Sequence, residues 1–171
     1  MHNKVIYQVA KSLSSLGIPV LRFNFRSAGL STGAHDRGRG EQGDIRAALD
    51  FISKEFSSVP ILLAGFSFGS WVGLRVGCED KGVTDLIGLG IPVNNSDFSF
   101  LSKCVKPKLF VQGSNDEHGA PDKAKALVKS LPGEKCFVTV EGADHFFAGK
   151  LNELNRVISD WLMHRHPELR S

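Results

Sequence analysis

The sequence has no apolar run long enough to cross a membrane. Its longest apolar stretches, around Val59–Gly65 and Leu86–Ile91, fall far short of the roughly 20 residues a spanning helix needs. His2, Asn3 and Lys4 lead into an amphipathic pattern, so no basic n-region with an apolar core marks a secretory signal, and the expected compartment is the cytoplasm. Cysteine is scarce. Cys78, Cys104 and Cys136 are an odd set, widely spaced and without C-x-x-C; this excludes a disulfide framework or a zinc site and reads as reduced, buried thiols. Charge of one sign is also lacking, with 21 Lys and Arg against 18 Asp and Glu for a net +3. The basic residues are scattered, so neither nucleic acid nor an anionic membrane is an expected partner. The Gly-rich stretch Gly29–Gly43 follows an apolar segment, but it has neither G-x-x-x-x-G-K-[ST] nor G-x-G-x-x-G, which argues against a nucleotide site.

What remains is a chain of 171 residues, 42% hydrophobic and 23% charged, enough for one folded domain over 1–171. Val5, Val9, Leu13 and Leu16 recur at helical spacing and stop at Gly17. An extended, β-rich run Pro19–Phe25 follows, then a loop over Arg26–Gly43. Asp44 opens a helix that carries Ile45, Ala48, Leu49, Ile52 and Phe56 on one face and ends before Pro60. Further strands are expected at Pro60–Gly65, Asp85–Gly90, Lys108–Gln112 and Lys135–Val140, and helices at Phe68–Cys78, Pro121–Leu131 and Phe147–His164. The five strands are continuous apolar runs, as in sheets covered on both faces. The expected class is therefore α/β, three-layered, with a mostly parallel sheet. Residues 164–171 read as a solvated tail.

Chemistry concentrates at Gly65-Phe66-Ser67-Phe68-Gly69. In a chain with 18 glycines the bare G-x-S-x-G pattern says little; its setting, after a strand and before a helix, says more. A sharp turn there lifts the Ser67 hydroxyl above the sheet and aims the Phe68 amide at a developing oxyanion. Serine needs a base, and histidine has the pKa for that task. Asp116 and His145 each follow the carboxyl end of an expected strand, where ligand groups collect in open α/β sheets. Glu117 adjoins Asp116 and is the alternative orienting acid, while Asp144 reads as a turn residue. His118 is close enough to line the site, although an exposed loop histidine is the plainer reading. His164 and His166 have no matching ligand set, so no metal and no cofactor are expected. Phe66, Phe68, Phe98, Phe100, Phe146 and Phe147 fall near the site, most of them read as core.

These segments, together with Gly17–Arg26, Arg39-Gly40-Glu41-Gln42, Gly88–Val93 and Gly142–Phe147, resemble the α/β-hydrolase superfamily. The similarity is to the branch of small dienelactone-hydrolase-like proteins and of the hydrolase-like domain of some chromatin-complex subunits. The resemblance covers essentially the whole chain. It implies Ser67, Asp116 and His145 as a catalytic triad, in the order that fold uses. It also implies an open site, since the short stretch Ile91–Lys106 leaves no room for a lid domain.

The sequence departs from the family at two places. Ser27-Ala28 stand where the family has Gly after the Arg. The family's strand before the first helix, which supplies a second oxyanion amide, has no counterpart, and the chain reads as an N-terminally shortened form of a protein of roughly 200 residues. That absence is expected either to leave a gap between Pro19–Phe25 and Pro60–Gly65 or to force them to pair. The expected function is hydrolysis of a small ester or thioester by an acyl-enzyme route, with a small acyl compound as partner. The alternative is a non-catalytic binding module on the same scaffold. The oligomeric state is left open.

Overall fold

The structure, a computed structural model, describes residues 3–57 and 59–170. Four strands form one parallel sheet in the order β1 (Ile61–Phe66), β2 (Val83–Leu89), β3 (Lys108–Gly113), β4 (Lys135–Val140). Five α-helices flank it: α1 (Lys4–Ser15), α2 (Arg39–Glu55), α3 (Phe68–Glu79), α4 (Pro121–Ser130) and α5 (Leu151–Arg165). Alternate strand residues feed two separate cores, as a period of two requires. Leu86 and Phe110 pack with α2, α3 and α4, and Ile87, Leu89, Leu109 and Val111 pack with α1 and α5 on the opposite face. Covering both faces explains why β2 and β3 are buried almost throughout. Among the described residues no helix is long and apolar enough to cross a membrane.

The expected strand at Pro19–Phe25 does not form. Residues 18–25 carry no strand assignment, although Val20, Leu21, Phe23 and Phe25 make the run β-rich. Strand structure needs a partner's backbone, and among the described residues none pairs with this segment. It is separated from β1 by a cavity of about 530 Å³, lined by Leu21, Phe23 and Phe25 on one side and Leu62, Ala64 and Phe66 on the other. Of the two expected arrangements of Pro19–Phe25 and Pro60–Gly65, a gap between them is the one observed.

Two boundaries also differ. α2 begins at Arg39 rather than Asp44. Glu41 causes this: its buried carboxylate accepts from the Gly38 amide at 2.8 Å and the Asp36 amide at 2.8 Å, satisfying donors at the helix start. The expected solvated tail is instead folded back. Arg165 Nε donates to the buried Asp85 at 2.9 Å, Arg165 Nη1 to Glu134, and Leu169 packs against the α1/α5 core. Ser171 lies outside the described residues. Cys104 is buried, Cys78 and Cys136 are partly buried, and all three are free thiols.

Candidate active site

Ser67 occupies the turn between β1 and α3 with φ 52° and ψ −124°, a backbone conformation that a non-glycine residue adopts only under constraint. The constraint is visible on both sides. The Ser67 amide donates to Leu89 O at 2.9 Å, tying the turn to the end of β2, and Ser67 O accepts from the amides of Ser70 and Trp71. Gly65 makes the close packing possible: a Cβ there would lie 2.4 Å from Gly69 O. Gly69 has no such restriction, its nearest foreign atom being a Phe25 ring carbon at 3.8 Å from the site of a Cβ.

The turn brings Ser67 Oγ within 2.9 Å of His145 Nε2. His145 Nδ1 lies 2.9 and 3.0 Å from the two oxygens of Asp116. Both His145 and Asp116 are buried, at 3% and 4% exposure, so the carboxylate has little water to satisfy it and relies on fixed donors. Asp116 Oδ1 accepts from the amides of His118 at 2.8 Å and Gly119 at 3.0 Å. Asp116 Oδ2 accepts from Gln112 Nε2 at 2.7 Å. Gln112, at the end of β3, is fully buried; its Oε1 accepts from the Ile91 amide at 2.9 Å, and its Nε2 also donates to Gly119 O. It thereby locks the β3 loop to the segment after β2.

The three residues singled out in the sequence are therefore brought together in one hydrogen-bonded row. Glu117 is not part of it: its exposed side chain reaches only His118, at 3.7 Å. Asp144 sits in the turn before α5, its Oδ1 accepting from the amides of Phe146 and Ala148. His118 is half-exposed and its ring packs edge-on to that of His145, with centroids 4.5 Å apart. Among the phenylalanines, Phe66 and Phe146 border His145, at 5.0 and 5.2 Å between ring centroids, and Phe146 is 55% exposed. Phe98 and Phe147 are buried in the two cores.

The Phe68 amide opens α3 and has no intramolecular acceptor among the described residues. It is thus left to meet negative charge at the positive end of a helix. Two contributors were not legible in advance. Gln112 ends the expected strand Lys108–Gln112, and its only signal is an amide side chain at that position. Glu41 stands three residues after Gly38, the spacing of a capping box, and holds His35 Nδ1 at 2.9 Å; His35 in turn stacks against Phe68 with centroids 5.3 Å apart.

Comparison with known proteins agrees with this fold. Residues 1–157 match the family described as the alpha/beta hydrolase domain. An uncharacterized protein of Rickettsia prowazekii (strain Madrid E) is 37% identical over 172 residues, which span 95% of this chain and 72% of that protein. The structure of an alpha-beta serine hydrolase homologue from Coxiella burnetii is 39% identical with a TM-score of 0.88, covering 95% of this chain and 77% of its own. A serine hydrolase without a lid from Xanthomonas campestris is 35% identical with a TM-score of 0.89, covering 96% of this chain and 74% of its own.

Proposed function

Because the chain belongs to the alpha/beta hydrolase family, we propose that it is a serine hydrolase of small esters or thioesters, working through Ser67, His145 and Asp116. The observation that carries this reading is the 2.9 Å contact between Ser67 Oγ and His145 Nε2, with His145 Nδ1 held by Asp116. In the reaction His145 takes the Ser67 proton as the oxygen attacks the acyl carbon. Asp116 keeps Nδ1 protonated and steadies the imidazolium that forms. The Phe68 amide donates to the oxyanion. Collapse of the tetrahedral intermediate expels the alcohol or thiol, which receives the proton from His145; water, deprotonated by the same histidine, then releases the acid.

Phe66 and Phe146, beside His145, favour a short apolar acyl group over a polar peptide. Three free thiols suit a cytoplasmic setting. The alternative, a binding module, draws on the cavity beside β1.

The test is hydrolysis of p-nitrophenyl butyrate together with labelling by a fluorophosphonate probe. Wild type is expected to do both and Ser67→Ala neither, with the variant's melting temperature unchanged. Labelling that persists in Ser67→Ala overturns the assignment, and a folded wild type inert in both assays supports the binding module.

A further inference from the structure

At the end of α3 away from Ser67, two thiols and two lysines meet. Cys78 lies in the last turn of α3, and Cys104 caps the short 3-10 turn Ser99–Lys103. Cys104 is buried in the core that packs α2, α3 and α4 on the sheet, and Cys78, partly exposed, packs against the same core. The Cys78 S–H donates to the Cys104 sulfur. Lysines hold the pair in place from both sides. Lys106 Nζ donates to Gly77 O at 2.7 Å and to Asp80 O, which ties the Cys104 loop to the end of α3. Lys108, at 0% exposure, donates through Nζ to Cys104 O at 2.7 Å and to Pro132 O at 2.9 Å.

Carbonyls satisfy the N–H groups of Lys108 but not its charge, and a buried ammonium needs a negative partner. Among the described residues no carboxylate pairs with it. Burial is the largest influence on Lys108 and pushes its pKa down, while the influences that push it up come from Cys104 and Cys78. The sulfurs show the other half of this pairing. Cys104 is pushed down to about 6, first by the hydrogen bond from Cys78 and then, against burial, by the Lys106 amide and the charges of Lys108 and Lys106. Cys78 is pushed up, chiefly by the same hydrogen bond. Cys136 has only burial acting on it, and its thiol is pushed up.

From this cluster we infer that Cys78 and Cys104 are a site of reversible oxidation by hydroperoxides, in which Cys104 attacks and Cys78 resolves to a disulfide. A thiolate beside fixed cations is the form of cysteine that reacts, and a second thiol in contact with it diverts the product from further oxidation. The Cys104 thiolate attacks one peroxide oxygen and the O–O bond breaks. Cys104 becomes a sulfenic acid, and the departing hydroxide takes the Cys78 proton to leave as water. The Cys78 thiolate then attacks the Cys104 sulfur; the S–S bond forms, the S–O bond breaks, and the second hydroxide takes its proton from solvent. The two sulfurs have given up two electrons to the peroxide.

The test treats the purified, reduced chain with hydrogen peroxide, alkylates the remaining thiols and maps the peptides by mass spectrometry. The Cys78 and Cys104 peptides are expected to be joined, with Cys136 alkylated, and dithiothreitol is expected to separate them. Cys78→Ser is expected to stop at the Cys104 sulfenic acid, captured as a dimedone adduct. Lys108→Met, which removes the buried cation, is expected to slow linking at pH 7 by about 10-fold. Ser67→Ala is expected to link at the wild-type rate, so the result stands or falls apart from the hydrolase reading. The inference is overturned if Cys136 is oxidised as readily as the pair, or if the link joins separate chains. It is overturned equally if Lys108→Met, folded by circular dichroism, links as fast as wild type.

Discussion

Gly65 and Gly69 flank Ser67 symmetrically in the sequence, but their surroundings differ. A Cβ on Gly65 would meet backbone, Gly69 O at 2.4 Å, and backbone cannot swing aside. Gly69→Ala would add a methyl group in ordinary contact with the Phe25 ring, within a helix that favours Ala over Gly. Gly65→Ala is therefore expected to destabilise the protein by about 3 kcal/mol or more and to abolish fluorophosphonate labelling. Gly69→Ala is expected to change stability by less than about 1 kcal/mol; denaturant titration of the two variants checks the pair. The same discrimination applies to the acids. Asp116→Asn removes the carboxylate that fixes the His145 tautomer and is expected to lower kcat by about 10⁴-fold, whereas Glu117→Gln, on an exposed side chain directed at His118, is expected to leave kcat within about 2-fold. Gln112→Leu strips Asp116 Oδ2 and the Ile91 amide of their buried partner. It is expected to cost about 1–3 kcal/mol of stability in the same titrations.

At the scale of elements, the strands that formed and the segment that did not are all β-rich. β1 to β4 were legible because both faces of the sheet are covered, which makes each strand predominantly apolar. Pro19–Phe25 is interrupted by Arg22 and Asn24 but is still β-rich, and a strand is defined by the backbone beside it, which a local pattern does not report. The three candidate residues could be picked out for a different reason: each follows a strand at the sheet's carboxyl edge, where chain segments far apart in sequence come close. Gln112 acts by a hydrogen bond to the distant Ile91 amide, which composition does not record, whereas Glu41 acts locally on the Asp36 and Gly38 amides.

The start of α2 also makes an acid-sensitive element. The Asp44 carboxyl is held below its ordinary range chiefly by its hydrogen bond from Arg26, against the opposing effect of burial. For Glu41 burial is the largest influence and pushes upward, but the amides of Asp36 and Gly38, with His35 nearby, outweigh it and the net shift is downward. Both groups thus bind protons more weakly folded than unfolded. Their stabilisation is complete above the ordinary carboxylate pKa of about 4 and is lost as pH falls through the lower folded values. Asp44→Asn is accordingly expected to melt lower than wild type at pH 7, with the gap closing toward about pH 2. Thermal unfolding followed by circular dichroism across that range measures it; a gap that stays constant with pH would show that the Asp44 charge is not involved.

At the scale of the whole molecule, the sheet has two edges and they differ in kind. β4 is a partly exposed outer strand, whereas β1 lies inside the fold, between the helix layers, with an open space where pairing would continue. The cavity can be probed from within the chain, because Ala48 of α2 lines both it and the depression outside it. Ala48→Phe directs a ring into apolar space. If the cavity is open, the ring fills it and no side chain has to move. The variant should then be more stable by up to about 2 kcal/mol from the apolar area it covers. Ser67 and His145 keep their contact, so fluorophosphonate labelling should be unchanged. If the cavity were instead closed and packed, the added ring would strain its neighbours and destabilise by about 1–3 kcal/mol. The sign of the stability change in Ala48→Phe, measured beside labelling of Ser67, decides whether the interior of this sheet is open.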